Sequence, residues 1–237
     1  MPSFTNIRRL KHLAYRLGIH RVVPRRQLAF AHYAAAMSRW ISEHRELGMT
    51  DFPNARFDYG RRFALHDYVI GRERLNGPID YLEFGVSTGE SFRRFVEEID
   101  HPEARFYGFD TFTGLPEPWG PFPAGAMGNG NAPPAIDDER VRFYQGVFQQ
   151  TLYGFLEDFD DSRRKVVHLD ADLYSATLFV LTTLSRHLRP GDILLFDEFN
   201  VPMHEFKAFS EWVAAYYIEY EVLGEVNNYY QVAMRLK

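Results

Sequence analysis

Apolar positions in the first third of the chain recur at helical spacing. Phe30, Tyr33, Ala34, Met37, Trp40 and Ile41 form one stripe, which predicts a helix over 27–47 with Gly48 as its stop. A second helix is predicted over 59–70 with Phe63, Ala64, Tyr68 and Val69 inward, and Asn76-Gly77-Pro78 then breaks the chain. Beyond that break the pattern changes. Short apolar runs at 79–84, 106–109, 141–144, 166–169 and 193–196 read as strands, and helical spacing fills 90–99, 175–187 and 204–217. This alternation implies a mostly parallel sheet covered on both faces. Near the C-terminus Ile218, Tyr220 and Val222 alternate with glutamates, and Val232, Met234 and Leu236 alternate beyond Asn227-Asn228. The sheet should therefore close with an antiparallel hairpin as its sixth and seventh strands. The expected organisation is an N-terminal helical extension over 1–75, serving as a substrate cap or oligomer contact, and an α/β domain over 76–237.

The most informative stretch is Asp80-Tyr-Leu-Glu-Phe-Gly-Val-Ser-Thr-Gly-Glu-Ser91. An apolar run ends in an acid, turns through two glycines and opens into a helix. A second apolar run ends in Asp110, 27 residues after Glu83. Strand, glycine turn, helix, then an acid-ended strand suits an adenosine-containing cofactor. The small residues admit close backbone approach, the helix N-terminus offers free N–H groups, and the terminal acid can accept ribose hydroxyls. The spacing Gly85-x-x-x-Gly89 differs from the dinucleotide Gly-x-Gly-x-x-Gly, which weakens a nicotinamide reading.

Two later strands also end in acids, at Asp170-Ala-Asp172 and at Asp197-Glu198. In an open parallel sheet ligands bind outside the carboxyl ends of the strands. Glu83, Asp110, Asp170, Asp172, Asp197 and Glu198 should thus converge on one edge, where they repel one another unless a cation or a hydroxyl-rich ligand intervenes. An all-oxygen set suits a hard ion such as Mg²⁺, with Mn²⁺ or Ca²⁺ as alternatives. Asp172 has a second reading as the N-cap of the following helix. His168 and His204 lie near these strand ends, but a single histidine is more often a packing or hydrogen-bonding group than a base. Residues 114–137, dense in glycine and proline, directly follow the acid-ended second strand and read as a substrate-side lid.

Composition narrows the rest. The 237 residues hold 21 phenylalanines and 46% hydrophobic side chains, enough for one large core. There is no cysteine, so thiolate metal sites and disulfides are excluded. No run approaches the roughly 20 apolar residues of a membrane span, and no apolar signal core opens the chain, so a cytoplasmic enzyme is expected. Net charge is −5, yet every charged residue before Glu43 is basic: Arg8, Arg9, Lys11, Arg16, Arg21, Arg25, Arg26 and Arg39. That block is a solvated helical arm, or a weak contact for a membrane surface or an acidic partner. The apolar stripe over 27–47 could also serve a homo-oligomer.

Four blocks together resemble class I S-adenosylmethionine-dependent methyltransferases, and most closely the macrocin and mycinamicin sugar O-methyltransferase family. They are Leu82-Glu-Phe-Gly-Val-Ser-Thr-Gly89, Gly108-Phe-Asp-Thr-Phe-Thr-Gly-Leu-Pro116, His168-Leu-Asp-Ala-Asp-Leu-Tyr-Ser-Ala-Thr177 and Leu188-Arg-Pro-Gly-Asp-Ile-Leu-Leu-Phe-Asp-Glu-Phe199. The resemblance implies a Rossmann-like fold and an O-methyl transfer to a hydroxyl of a sugar or glycosylated small molecule. It implies that Glu83, Gly85, Val86, Gly89 and Ser91 shape the donor pocket, with Asp110 on the ribose and Thr111 and Phe112 beside the adenosine. It also implies a divalent metal on Asp170, Asp197 and Glu198, with Asp170 catalytic. Where the family shows two aspartates, this chain has Asp197-Glu198, one methylene longer. No specific nucleic-acid partner is expected. Two other readings stand beside this one: a nucleotide-sugar glycosyltransferase using Asp170-Ala-Asp172, and an inactive cofactor-binding homologue.

Overall fold

The computed structural model describes residues 4–237. The basic N-terminal block forms α1 (Phe4–Arg16), and a single 3₁₀ turn (Ile19–Arg21) leads into α2 (Arg25–Glu43). No residue of α1 is buried. Only the C-terminal half of α2 reaches the body, through Met37 and Trp40. The helix ends at Glu43 rather than at residue 47. There the His44 ring stacks on Trp40 at 4.3 Å, and the chain leaves to bridge Met49 to Gly224. α3 (Arg61–Glu73) follows and packs on the C-terminal hairpin.

Seven strands form one sheet in the order β3-β2-β1-β4-β5-β7-β6. They are β1 (Ile79–Phe84), β2 (Arg105–Asp110), β3 (Val141–Gln145), β4 (Arg164–Leu169), β5 (Ile193–Phe196), β6 (Tyr220–Val226) and β7 (Gln231–Leu236). The first five run parallel, while β7 pairs antiparallel with both β5 and β6. The hairpin therefore inserts its second strand beside β5, and the expected Rossmann-like α/β architecture is what the chain adopts.

Side-chain alternation divides the core in two. Leu82, Phe84, Phe109, Val167, Leu169, Leu194 and Phe196 face α5 (Phe148–Glu157), α6 (Tyr174–Leu184), α7 (Glu205–Tyr216) and the end of α2. Tyr81, Phe106, Val166, Ile193 and Leu195 face α3 and α4 (Glu90–Glu98). Helix α5 was absent from the pattern reading, although Phe148, Leu152 and Phe155 are its buried residues at i, i+4 and i+7. Its brevity, ten residues directly after β3, hid it among loop signals. Helix α6 stops at Leu184, three residues short of the expected end.

Because β1 lies between β2 and β4, the chain reverses its direction of winding at β1. The crevice outside the carboxyl ends of β1 and β4 is the topological switch point where such sheets bind ligands.

Candidate active site at the carboxyl edge of the sheet

The β1–α4 turn forms the first wall. Gly85 has φ +99°, and a Cβ at this position would lie 1.7 Å from the Asp170 carbonyl oxygen. Glycine thus lets the end of β1 abut the end of β4, and any side chain would force them apart. Gly89 (φ +80°) opens α4 without a side-chain cap, so its first N–H groups stay free for a ligand. A Cβ on Gly89 would meet Pro134 at 2.7 Å, which places this glycine under the 114–137 segment rather than on the cavity wall.

Asp110 closes the turn from β2. Its Oδ2 accepts the N–H of Val86 (2.8 Å) and Ser87 (2.7 Å), and its Oδ1 accepts the N–H of Phe112 (2.7 Å). A carboxylate has about four acceptor positions, so capacity remains for a hydroxyl. Phe112 itself is buried at positive φ and turned away from the cavity, with its carbonyl accepting the N–H of Asn129 and Asn131. Glu83, Gly85, Val86, Ser91, Asp110 and Thr111 do line it.

The cavity holds about 560 Å³, within the range of small-molecule sites. Its far wall contains Asp170, Asp172 and Glu198. Asp170 N–H bonds to the Phe84 carbonyl and Asp197 N–H to that of Leu169, so the ladder continues past the strands and sets these acids side by side. Burial raises the carboxyls of Asp170 and Glu198 well above the usual range, and their neighbouring carboxylates add to the effect. Asp172 is pushed up to about 7 by burial, then by Asp197 and Asp110. Asp172 is not a helix cap: the N-cap of α6 is Leu173, and Asp172 sits in a left-handed conformation.

His168, Asp170 and Asp197 each offer a ligand atom within 4.8 Å of the others. Among the described residues Glu198 falls outside that close group, although its Oε2, like Asp197 Oδ1 and Glu205 Oε1, is buried without a hydrogen-bond partner. Several unpartnered carboxyl oxygens in one buried cluster are a donor set that fits a hard cation, and a buried array of this kind is costly if ionised without one. His168 Nδ1 is engaged by the Tyr81 hydroxyl at 2.9 Å and lies 3.4 Å from Glu83, so Nε2 is the nitrogen left for an ion.

Several residues here escaped sequence reasoning. Tyr59 donates its hydroxyl to Asp197, and Phe57, Tyr59 and Arg62 of the N-terminal extension line the cavity. Burial and the adjacent acids push the Tyr59 and Tyr230 phenols upward, which keeps both as neutral donors. Glu205 accepts the Glu198 N–H at 3.0 Å and belongs to the same acidic cluster. An acid in the first turn of a helix following an acid-ended strand was a usable signal for Glu205; nothing local marked Tyr59 or Arg62. Part of the 114–137 segment lies against the cavity. Trp119 and Phe122 exchange backbone hydrogen bonds and stack at 5.4 Å, and both line the cavity with Leu115 and Met127.

Residues 82–199 match the family model of the methyltransferase domain. A 64-residue stretch is 36% identical to the 8-demethyl-8-(2,3-dimethoxy-alpha-L-rhamnosyl)-tetracenomycin-C 4'-O-methyltransferase of Streptomyces olivaceus. The match covers 27% of this chain and 23% of that protein. The solved structure of the O-methyltransferase NovP superposes with a TM-score of 0.57 at 22% identity, over 75% of this chain and 78% of NovP. The calicheamicin methyltransferase CalS11 gives the same TM-score at 18% identity, over 90% and 93%. These two likenesses concern the fold. The glycosyltransferase reading of Asp170-Ala-Asp172 is displaced, because that segment lies inside the matched methyltransferase domain. The glycine turn, strand order and matched residues 82–199 identify a methyltransferase domain within the chain, with the fold of the class I S-adenosylmethionine-dependent methyltransferases.

Proposed function

We propose that this protein transfers a methyl group from S-adenosylmethionine to a hydroxyl of a sugar or glycosylated small molecule, assisted by a divalent cation. One observation carries the reading: the glycine cradle beside Asp110 and the carboxylates of Asp170 and Glu198 open into a single cavity. The curated relative acts, by its name, on a rhamnosylated compound, which agrees with a saccharide acceptor.

S-adenosylmethionine supplies an electrophilic methyl on a sulfonium, so alignment accounts for much of the catalysis. On this reading Glu83, Gly85, Val86 and Ser91 form the donor wall and Asp110 holds the ribose. Thr111 borders the adenosine, while Gly89 and Phe112 support the turns from behind. A cation on Asp170 and Asp197, with Glu198 beside them, would lower the pKa of the acceptor hydroxyl and orient it. Asp170 lies on the cavity wall where it can take the hydroxyl proton. Tyr59 holds Asp197 in place. Phe57 and Trp119 offer apolar faces to the acceptor. Phe57, Tyr59 and Arg62 also support reading residues 1–75 as an extension that caps the substrate side.

Calorimetric titration tests the reading. S-adenosylhomocysteine should bind and nucleoside-diphosphate sugars should not compete for its site. Exhaustive EDTA treatment should abolish methylation, and Mg²⁺ should restore it. Absence of any S-adenosylhomocysteine binding would sink the assignment, and full activity after chelation would retire the metal.

A further inference from the structure

Helix α1 has no buried residue, so the folded domain leaves its apolar side uncovered. Phe4, Ile7, Leu10, Leu13 and Leu17 recur three or four residues apart and share that side. Phe4, Leu10 and Leu17 are 85%, 68% and 68% exposed. Arg8, Arg9, His12 and Arg16 occupy the opposite side. Lys11 stands among the apolar positions, where its stem can lie along them while the ammonium reaches outward. The same mixture continues past the helix. Val22, Leu28 and Phe30 are exposed, and Arg21, Arg25 and Arg26 are interspersed with them. No Asp or Glu occurs among residues 4–30 to neutralise these cations within the arm.

Two properties of this arm have to be met together. A nucleic acid would neutralise the cations but leave Phe4, Leu10 and Leu17 in water. A folded protein would need an apolar groove flanked by carboxylates at matching spacing. An anionic bilayer meets both needs without any fixed spacing, because acyl chains take the apolar side and headgroup phosphates the basic one. At 13 residues α1 is too short to cross a bilayer, and no helix among the described residues is long and apolar enough to do so. We infer that residues 4–30 are a docking surface for an anionic phospholipid membrane, with α1 lying in the plane of the headgroups. None of these residues lines the cavity, and all precede the matched residues 82–199, so the inference stands apart from the methyl-transfer reading.

Cosedimentation of the full chain with vesicles tests this. Wild type should bind vesicles of mixed phosphatidylglycerol and phosphatidylcholine about tenfold or more tightly than vesicles of phosphatidylcholine alone. Added salt should weaken that binding by screening the arm's charges. Two variants separate the two sides of the helix: Leu10→Ser with Leu13→Ser, and Arg8→Gln with Arg9→Gln and Arg16→Gln. Each should lower the affinity for anionic vesicles by about tenfold or more, since apolar burial and headgroup attraction both contribute. Both should keep the wild-type melting temperature, because none of the replaced side chains is buried. Failure of wild type to bind anionic vesicles overturns the inference. So does full binding by the serine variant, which would reduce the contact to charge alone. Sedimentation velocity without lipid adds a third arm: if wild type is an oligomer that the serine variant dissociates, and vesicles do not bind, the apolar side belongs to a second copy of the chain and the inference fails.

Discussion

Asp110 shows why a single carboxylate can be both a folding group and a ligand group. Its oxygens hold the N–H groups of Val86, Ser87 and Phe112, two of which lie at residues with positive φ. Asp110→Asn puts an NH₂ where at least one N–H must be accepted, so the turn loosens and donor binding should weaken by about 1–3 kcal/mol. Calorimetry with S-adenosylhomocysteine measures this directly, and unchanged affinity would place the ribose elsewhere. Gly85 is stricter still, because the clash of any Cβ is with a backbone carbonyl of the neighbouring strand, which cannot rotate away. Both residues were legible beforehand, since a glycine turn followed by an acid-ended strand is a local pattern. The family resemblance put Gly89 in the donor pocket and Phe112 beside the adenosine, whereas neither lines the cavity, because which side of a turn meets the cavity depends on what packs behind it.

At the scale of elements, α1 and α3 present opposite cases. Helix α1 leaves Ile7, Leu10 and Leu13 exposed on one side and carries Arg8, Arg9 and Arg16, with nothing buried. Removing residues 1–22 should therefore leave S-adenosylhomocysteine affinity within about twofold and change the melting temperature little, because surface groups contribute within roughly ±0.5 kcal/mol each. A large loss of cofactor affinity in that truncation would mean the arm reaches the site. Helix α3, expected to turn Phe63, Ala64, Tyr68 and Val69 inward, instead buries Arg62, Leu65, His66, Val69 and Glu73 against the sheet and leaves Ala64 exposed. Strands and most helices of the domain were readable from periodicity alone. The end of α2 was not, because the chain is drawn off toward Gly224 by a pairing 175 residues away in sequence.

For the whole molecule, the decisive feature is charge. Residues before Glu43 carry eight cationic groups and no acid, so with a total of −5 the remainder carries −13. A cluster of its acids gathers at the carboxyl edge. There Asp170, Glu198 and Glu205 are raised well above the carboxylate range, and Asp172 is raised to about 7, by burial first and by one another next. The folded state thus binds more protons than the unfolded one, and stability falls as pH rises from the usual carboxylate range through 7. On the proposed function a divalent cation would replace those protons. Added Mg²⁺ should raise the melting temperature clearly at pH 8 and barely at pH 5, as read by thermal denaturation with and without EDTA. An equal effect at both pH values would count against an ion in the cluster.

What the sequence determined by itself was everything carried by short-range pattern. Strands ended in Glu83, Asp110, Asp170 and Asp197, a glycine turn joined the first of them to a helix, and an antiparallel pair closed the sheet. These follow from residue spacing, since strand period and turn chemistry act over a few residues. Only the tertiary structure decided which groups share a cavity. Strand order put Asp170 beside Asp197 and brought His168 to them, while Glu198 stood slightly apart. Packing of the extension brought the Tyr59 hydroxyl to Asp197 and Arg62 to the cavity wall. Tyr59 and Asp197 are 138 positions apart, and the physical reason such meetings are invisible in sequence is that burial and helix-on-sheet packing, not local preference, bring the residues together.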